Sequence, residues 1–164
     1  MNSFVDIKTA YRDRVDRNIQ FLSSVYHNRS DLLQMIKSLI DSNINEEEIN
    51  NKKVLLKPNW VKHNQQIQDE VCLRTNENFI MCVIEVILSK KPKSIIIGDA
   101  PIQGCDWRKM LSDSFYQFVD YHSKKNAVPI IIKDFRRVTF DPQSNKLEEE
   151  RKSIEEYVIF DLKD

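Results

Sequence analysis

Three short apolar runs in this chain each end in charged or amide side chains. Lys57 and Asn59 flank Pro58 at the end of KVLLKPNW, residues 53–60. Gly98, Asp99 and Pro101 close SIIIGDAP, residues 94–101, and Asp134, Arg136 and Arg137 close VPIIIKDFRR, residues 128–137. Brought to one place, these groups could bind an anion. Lys57 and Arg74 would neutralise its charge, Asn59 and the turn at Thr75 would donate hydrogen bonds, and Asp99 would hold a hydroxyl or a metal ion. A helix predicted to start at Thr75 would aim its free N–H groups at the same place. The competing reading is structural. Lys57 and Asp99 would pair across the sheet edge, Asp99 would cap its own turn, and Asn59 would satisfy its own loop.

Other chemistry has weaker support in the residue types. His63, Asp99, Cys105 and Asp106 could supply metal ligands, with Asp99 and Asp106 as the oxygen donors of a divalent ion such as Mg²⁺ or Mn²⁺, while Cys and His would favour Zn²⁺. Asp106 reads equally as the N-cap of a helix opening at Trp107, and Cys105 as a buried thiol. Cys72 and His63 share a loop, but nucleophilic catalysis also needs contact and an orienting third group, which the sequence does not supply. His27 and His122 lie on helical patterns as packing or surface residues. Trp60 and Trp107 suit core or rim packing better than stacking on a ligand ring.

Composition removes several classes. The chain has 164 residues, 41% hydrophobic and 30% charged, which suits one globular domain with its own core. Its 25 basic and 25 acidic residues give a formal net charge of +0, so no surplus of Lys and Arg is available for nucleic acid. No apolar run approaches the ~20 residues that span a bilayer. The three cysteines form no Cys-x-x-Cys pair, so neither a disulfide framework nor an iron–sulfur cluster is expected, and a cytoplasmic setting is. With only 2 glycines, neither common phosphate-loop motif is present.

The elements that must position the polar ends follow from periodicity. Residues 4–25 predict an amphipathic helix with Val15, Ile19, Leu22 and Val25 on one side. A second helix, capped by Ser30 or Asp31, runs to about residue 42. Residues 43–51 are a polar connector. Strands are predicted at 54–56, 95–97 and 130–132, with a small edge strand at 138–140 and a last one at 157–162. Residues 145–156 are charged and exposed. The segment 60–74 is a long polar loop. From Thr75 a helix runs to about residue 89 with two apolar stripes, so it must lie between two surfaces. One is the sheet; the other is the N-terminal helices or a partner outside this chain. A third helix spans Trp107 to His122. Alternating strands and helices predict an α/β fold: a Rossmann-like, three-layer, mostly parallel sheet flanked by helices. It forms a single domain over 1–164, with helices in 1–50 packed on a sheet core at 53–162. In such a sheet, ligands bind beyond the carboxyl ends of the strands.

The strand ending in Lys57-Pro58-Asn59, the turn at Thr75 opening a helix, and the strand ending in Gly98-Asp99-Ala100-Pro101 together resemble domain-of-unknown-function family 362. The resemblance covers the middle third of the chain best. It implies an α/β domain in a longer protein, some of whose relatives carry iron–sulfur segments while others accompany surface polysaccharide synthesis. This chain lacks a cluster-binding cysteine run, and Glu77 or Asn78 stands where the family turn usually has proline. The first functional expectation is therefore an α/β domain binding a small anionic or phosphorylated ligand, as an enzyme of bacterial polysaccharide or cofactor metabolism. The alternatives are a non-catalytic scaffold domain, completed by a C-terminal domain or a homo-oligomeric partner, and a redox-associated accessory protein.

Overall fold

The computed structural model describes residues 26–64 and 73–152. The helix predicted at 4–25, the strand predicted at 157–162, and Cys72 lie outside the described residues. Along the chain run α1 (Arg29–Asn43), β1 (Lys53–Leu56), α2 (Glu77–Ser89), β2 (Ser94–Asp99), α3 (Asp113–Asn126), β3 (Ile130–Asp134), β4 (Val138–Phe140) and β5 (Leu147–Glu150). The first three strands form one sheet in the order β1-β2-β3, and both pairings are parallel. Each pair is joined through a helix, as parallel neighbours require. The β4–β5 hairpin is a separate antiparallel pair.

The apolar runs alternate faces as strands must. Val54 and Leu56, Ile95 and Ile97, and Ile130 and Ile132 pack in one cluster with Ile80, Ile84, Phe115 and Val119 from α2 and α3. That cluster is the main core, and Ile84, Ile95, Ile97 and Phe115 are fully buried in it. The second stripe of α2, Cys82 and Val86 with Phe79 and Val83 beside them, packs on Leu32 and Ile36 of α1. The surface that this stripe was expected to need is thus supplied by the chain itself. On the other side of the sheet, Leu55, Ile96 and Ile131 stand in register. Leu55 and Ile131 are 40% and 50% exposed. The described residues form a mixed α/β fold with helices packed on one face of the sheet; a helical layer on the other face is not among them.

Several boundaries differ from expectation for local reasons. The cap of α1 is Asn28, whose side chain accepts from Asp31 N–H, in place of Ser30 or Asp31. The cap of α2 is Asn76, which accepts from Asn78 N–H at 2.9 Å, one residue after Thr75. The third predicted helix is two pieces. Asp106 caps a single 3-10 turn at Trp107–Lys109, and Ser112 then caps α3 by accepting from Phe115 N–H. Residues 147–150, expected as exposed coil, are exposed but form β5. Asp141 takes Gln143, Ser144 and the Ser144 hydroxyl onto one oxygen and folds the hairpin turn, so pairing there comes from the turn and not from apolar alternation.

His122 reports on the α2–α3 contact. Its ring lies 4.2 Å from that of Phe118, and its Nε2 is 3.4 Å from Glu85 on α2. Burial pushes its pKa below the ordinary 6.5; Glu85 opposes this, while Lys125 and Arg29 add to it. The unfolded chain therefore takes up this proton at a higher pH than the folded chain. Its contribution to stability is complete above the unfolded value and declines as pH falls from there through the folded value. Urea unfolding on the acidic side of neutrality should show stability falling with pH, and His122→Gln should flatten that slope. An unchanged slope would contradict the assignment.

Candidate functional site

Because the three strands are parallel, their carboxyl ends open onto one rim. Asp99 stands beside Asp134 in the β2–β3 register, and Lys57 follows the last residue of β1. Lys57 Nζ lies 2.9 Å from Asp99 Oδ1. Ala100 N–H donates to the same oxygen and Trp60 N–H to Oδ2, each at 2.8 Å. Asp99 is 5% exposed, so this carboxylate fastens the segment after β1 to the end of β2. The Lys57 side chain stays 52% exposed. It has three N–H donors, and Asp99 takes one of them.

The ends of the 60–74 segment are pinned together. Thr75 N–H donates to the Asn59 carbonyl at 2.9 Å, and Asn59 N–H to Thr75 Oγ1 at 3.0 Å. Trp60 and Arg74 form an antiparallel bridge, with Val61 N–H on the Leu73 carbonyl. Arg74 turns away from this opening. Its guanidinium is 2.9 Å from Glu77 Oε1 and also donates to the Met110 carbonyl, while Glu77 accepts from Ser112 N–H and hydroxyl. Arg74 thereby ties the start of α2 to the start of α3, and its Nε is buried without a hydrogen bond.

Lys57, Asn59 and Thr75 line one cleft of about 280 Å³, together with Leu55, Leu56, Pro58, Phe79, Ile80 and Val83. Lys57, Asn59 and Thr75 supply its polar groups, and residues of β1 with Phe79, Ile80 and Val83 of α2 supply its apolar lining. Among the described residues no acidic one lines it. Neither a protein-family model, nor a curated protein, nor a solved structure matches this chain. The polar end was foreshadowed by residue type. Phe79 and Val83 were legible only as part of a helical stripe, because nothing in the sequence shows that β1 is an edge strand.

The other half of the rim is closed upon itself. The side chains of Asp134 and Arg136 are both buried and joined at 2.6 Å, and Arg136 also donates to the carbonyls of Cys105 and Ile102. Asp106 is held by Arg108 and Lys109 and caps its own turn. Burial alone would raise its pKa, but the Arg108 and Lys109 contacts outweigh that and hold it below the ordinary value. His63 Nδ1 accepts from Asp106 N–H at 3.0 Å, and His63 N–H donates to Cys105 Sγ. Burial pushes the Cys105 thiol up, the opposite of nucleophilic activation. Among the described residues no group of three or more His, Cys, Asp or Glu side chains is arranged to hold a metal ion. The two predicted metal donors, Asp99 and Asp106, are each engaged by a cation and backbone N–H groups. Trp60 is 1% exposed and meets Trp107 edge-on at 5.8 Å, as core packing.

Proposed function

We propose that this protein binds a small anionic ligand at the β1 end of the rim. The observation that carries the reading is the convergence of Lys57, Asn59 and Thr75 on one cleft, with the Lys57 side chain half-exposed beside its contact to Asp99. Lys57 meets the charge and Asn59 and Thr75 orient the ligand. Asp99 is a positioning residue: it holds Lys57 and the Trp60 backbone, and does not itself face the ligand. Arg74 acts one step further back, by fixing the turn that carries Thr75. Two of the three segments that resemble domain-of-unknown-function family 362 meet here, the third being the Gly98-Asp99-Ala100-Pro101 turn whose Asp99 holds Lys57, and we propose membership on that basis. We further propose the Rossmann-like, three-layer form of the fold, since the aligned row Leu55, Ile96 and Ile131 is the surface a second helical layer would cover. The scaffold reading rested on an unpartnered stripe of α2, which α1 covers.

The test is a titration of the full chain with inorganic phosphate and acetate, followed by backbone amide shifts. Shifts should concentrate at residues 57–60 and 75–79. Lys57→Met removes a charge-assisted contact of about 1.5–3 kcal/mol and should weaken binding roughly 10- to 100-fold with the fold intact. Binding of equal strength to a folded Lys57→Met chain would refute the proposal.

A further inference from the structure

We infer that the ligand of this cleft is an amphiphilic monocarboxylic acid, with its carboxylate at Lys57 and its hydrocarbon body on the apolar floor; this rests on the anion-binding reading above. The side chains of the floor favour apolar surface over a sugar phosphate. Those of Leu56, Phe79 and Val83 carry no donor or acceptor, and a hydroxyl pressed on them would lose its water partners without replacement. What such a floor accepts is apolar surface.

The charge at the polar end sets the ionic class. Among the described residues that line it, the cleft has one cationic side chain and no acidic one. That cation already gives one bond to Asp99 at 2.9 Å. One lysine so shared complements a single negative charge, whereas a phosphate monoester dianion is normally met by an arginine fork or several cations. Arg74, the nearest guanidinium in sequence, is committed to Glu77 and Met110. A carboxylate also matches the two remaining Lys57 donors with its two oxygens.

Size is compatible: a cleft of about 280 Å³ leaves room for a medium-chain acid or an aryl-alkanoic acid. Three other clefts differ in kind. One is walled by Asp106, Asp134, Glu148 and Glu149 against three arginines, another by Glu46 and Glu47, and a third by Asp106 and Asp141 against Lys62, Arg108 and Lys109. None of the three sets an apolar floor beside its cations.

Octanoate, acetate, octanol and inorganic phosphate, each titrated into the full chain by calorimetry and amide shifts, decide the matter. Octanoate should bind at least about tenfold tighter than acetate, since each buried methylene adds to affinity even in a half-open cleft. Its shifts should include Leu55, Phe79 and Val83 as well as residue 57. Lys57→Met should weaken octanoate about tenfold or more and leave octanol unchanged. Phe79→Ala, at a half-buried helix position of the floor, should weaken octanoate and octanol while sparing acetate. If phosphate binds in a Lys57-dependent way and octanoate is no tighter than acetate, the amphiphile inference falls and the anion site stands. If octanoate and octanol bind equally and Lys57→Met changes neither, or if no probe binds, both fall.

Discussion

Asp134→Ala should destabilise this protein by about 3–5 kcal/mol, and Arg136→Ala by a similar amount. The Asp134 and Arg136 side chains are 4% and 5% exposed. Arg136 Nε lies 3.0 Å from both carboxylate oxygens and its Nη2 2.6 Å from Oδ2. The Arg136 backbone N–H adds a further bond to Oδ1, and Nη1 turns to the Cys105 and Ile102 carbonyls. Arg151 closes the arrangement by donating to the Asp134 and Arg136 carbonyls. Every strong group is satisfied by another, so removing Asp134 leaves the Arg136 guanidinium without its carboxylate, and removing Arg136 leaves Asp134 only the longer Arg151 contact at 3.9 Å. Against a total stability of about 5–15 kcal/mol, either variant would sit near the edge of folding, which urea titration at neutral pH would show. The double change Asp134→Leu with Arg136→Met should cost less than the two single changes summed, by more than about 1 kcal/mol, because it leaves no orphaned charge. A cost below about 1 kcal/mol for Asp134→Ala would show that water reaches the pair.

What the sequence discloses of this fold is whatever depends on local pattern. Ile95–Ile97 and Ile130–Ile132, short and unbroken, announce parallel strands, and they are found paired in parallel, with Ile95 and Ile97 buried and Ile131 half-exposed on the other face. The two stripes of α2 announce two covering surfaces, and both are found. What the pattern hides is pairing and the competition between neighbouring caps. Thr75 and Asn76 are both good cap residues; Asn76 takes the helix because the Thr75 hydroxyl is already bound to Asn59, sixteen positions away. Leu147–Glu150 has no apolar alternation and becomes a strand only through the Asp141 turn. The same distinction governs the site. Lys57, Asn59 and Thr75 were legible as polar strand and helix ends. The commitment of Arg74 to Glu77 was not, although the i, i+3 spacing permits it, because the third member, the Met110 carbonyl, comes from a distant turn. Strand order is the largest hidden quantity: that β1 lies at an edge of the described sheet is what turns the Lys57 end into an open cleft.

Gly98→Ala is expected to be as damaging as the loss of the buried ion pair, for a reason unrelated to charge. The usual argument for a required glycine is a positive φ, and Gly98 has none. It is required for space. A Cβ there would stand 2.0 Å from the Lys133 carbonyl oxygen and 2.7 Å from the Phe135 ring. The carbonyl belongs to β3, whose Lys133 is the register partner of Gly98, so the obstacle is backbone in a paired strand and cannot rotate aside. A single methyl must therefore push β3 away from β2 at the rim. It would strain the Phe135 N–H bond to the Asp99 carbonyl, 2.8 Å in the native chain, and shift the carboxylate that holds Lys57. The expected loss is about 3 kcal/mol or more, with amide shifts at residues 57, 60, 99 and 135. Gly104→Ala is the internal control: nothing lies within 4 Å of its added methyl, and its effect should stay within about 0.5 kcal/mol. Combining Gly98→Ala with Phe135→Leu relieves the ring contact and leaves the carbonyl contact in place. The pair should therefore recover only a minor part of the lost stability, and a full recovery would show that the ring, and not the approach of β3, is what excludes a side chain at this position.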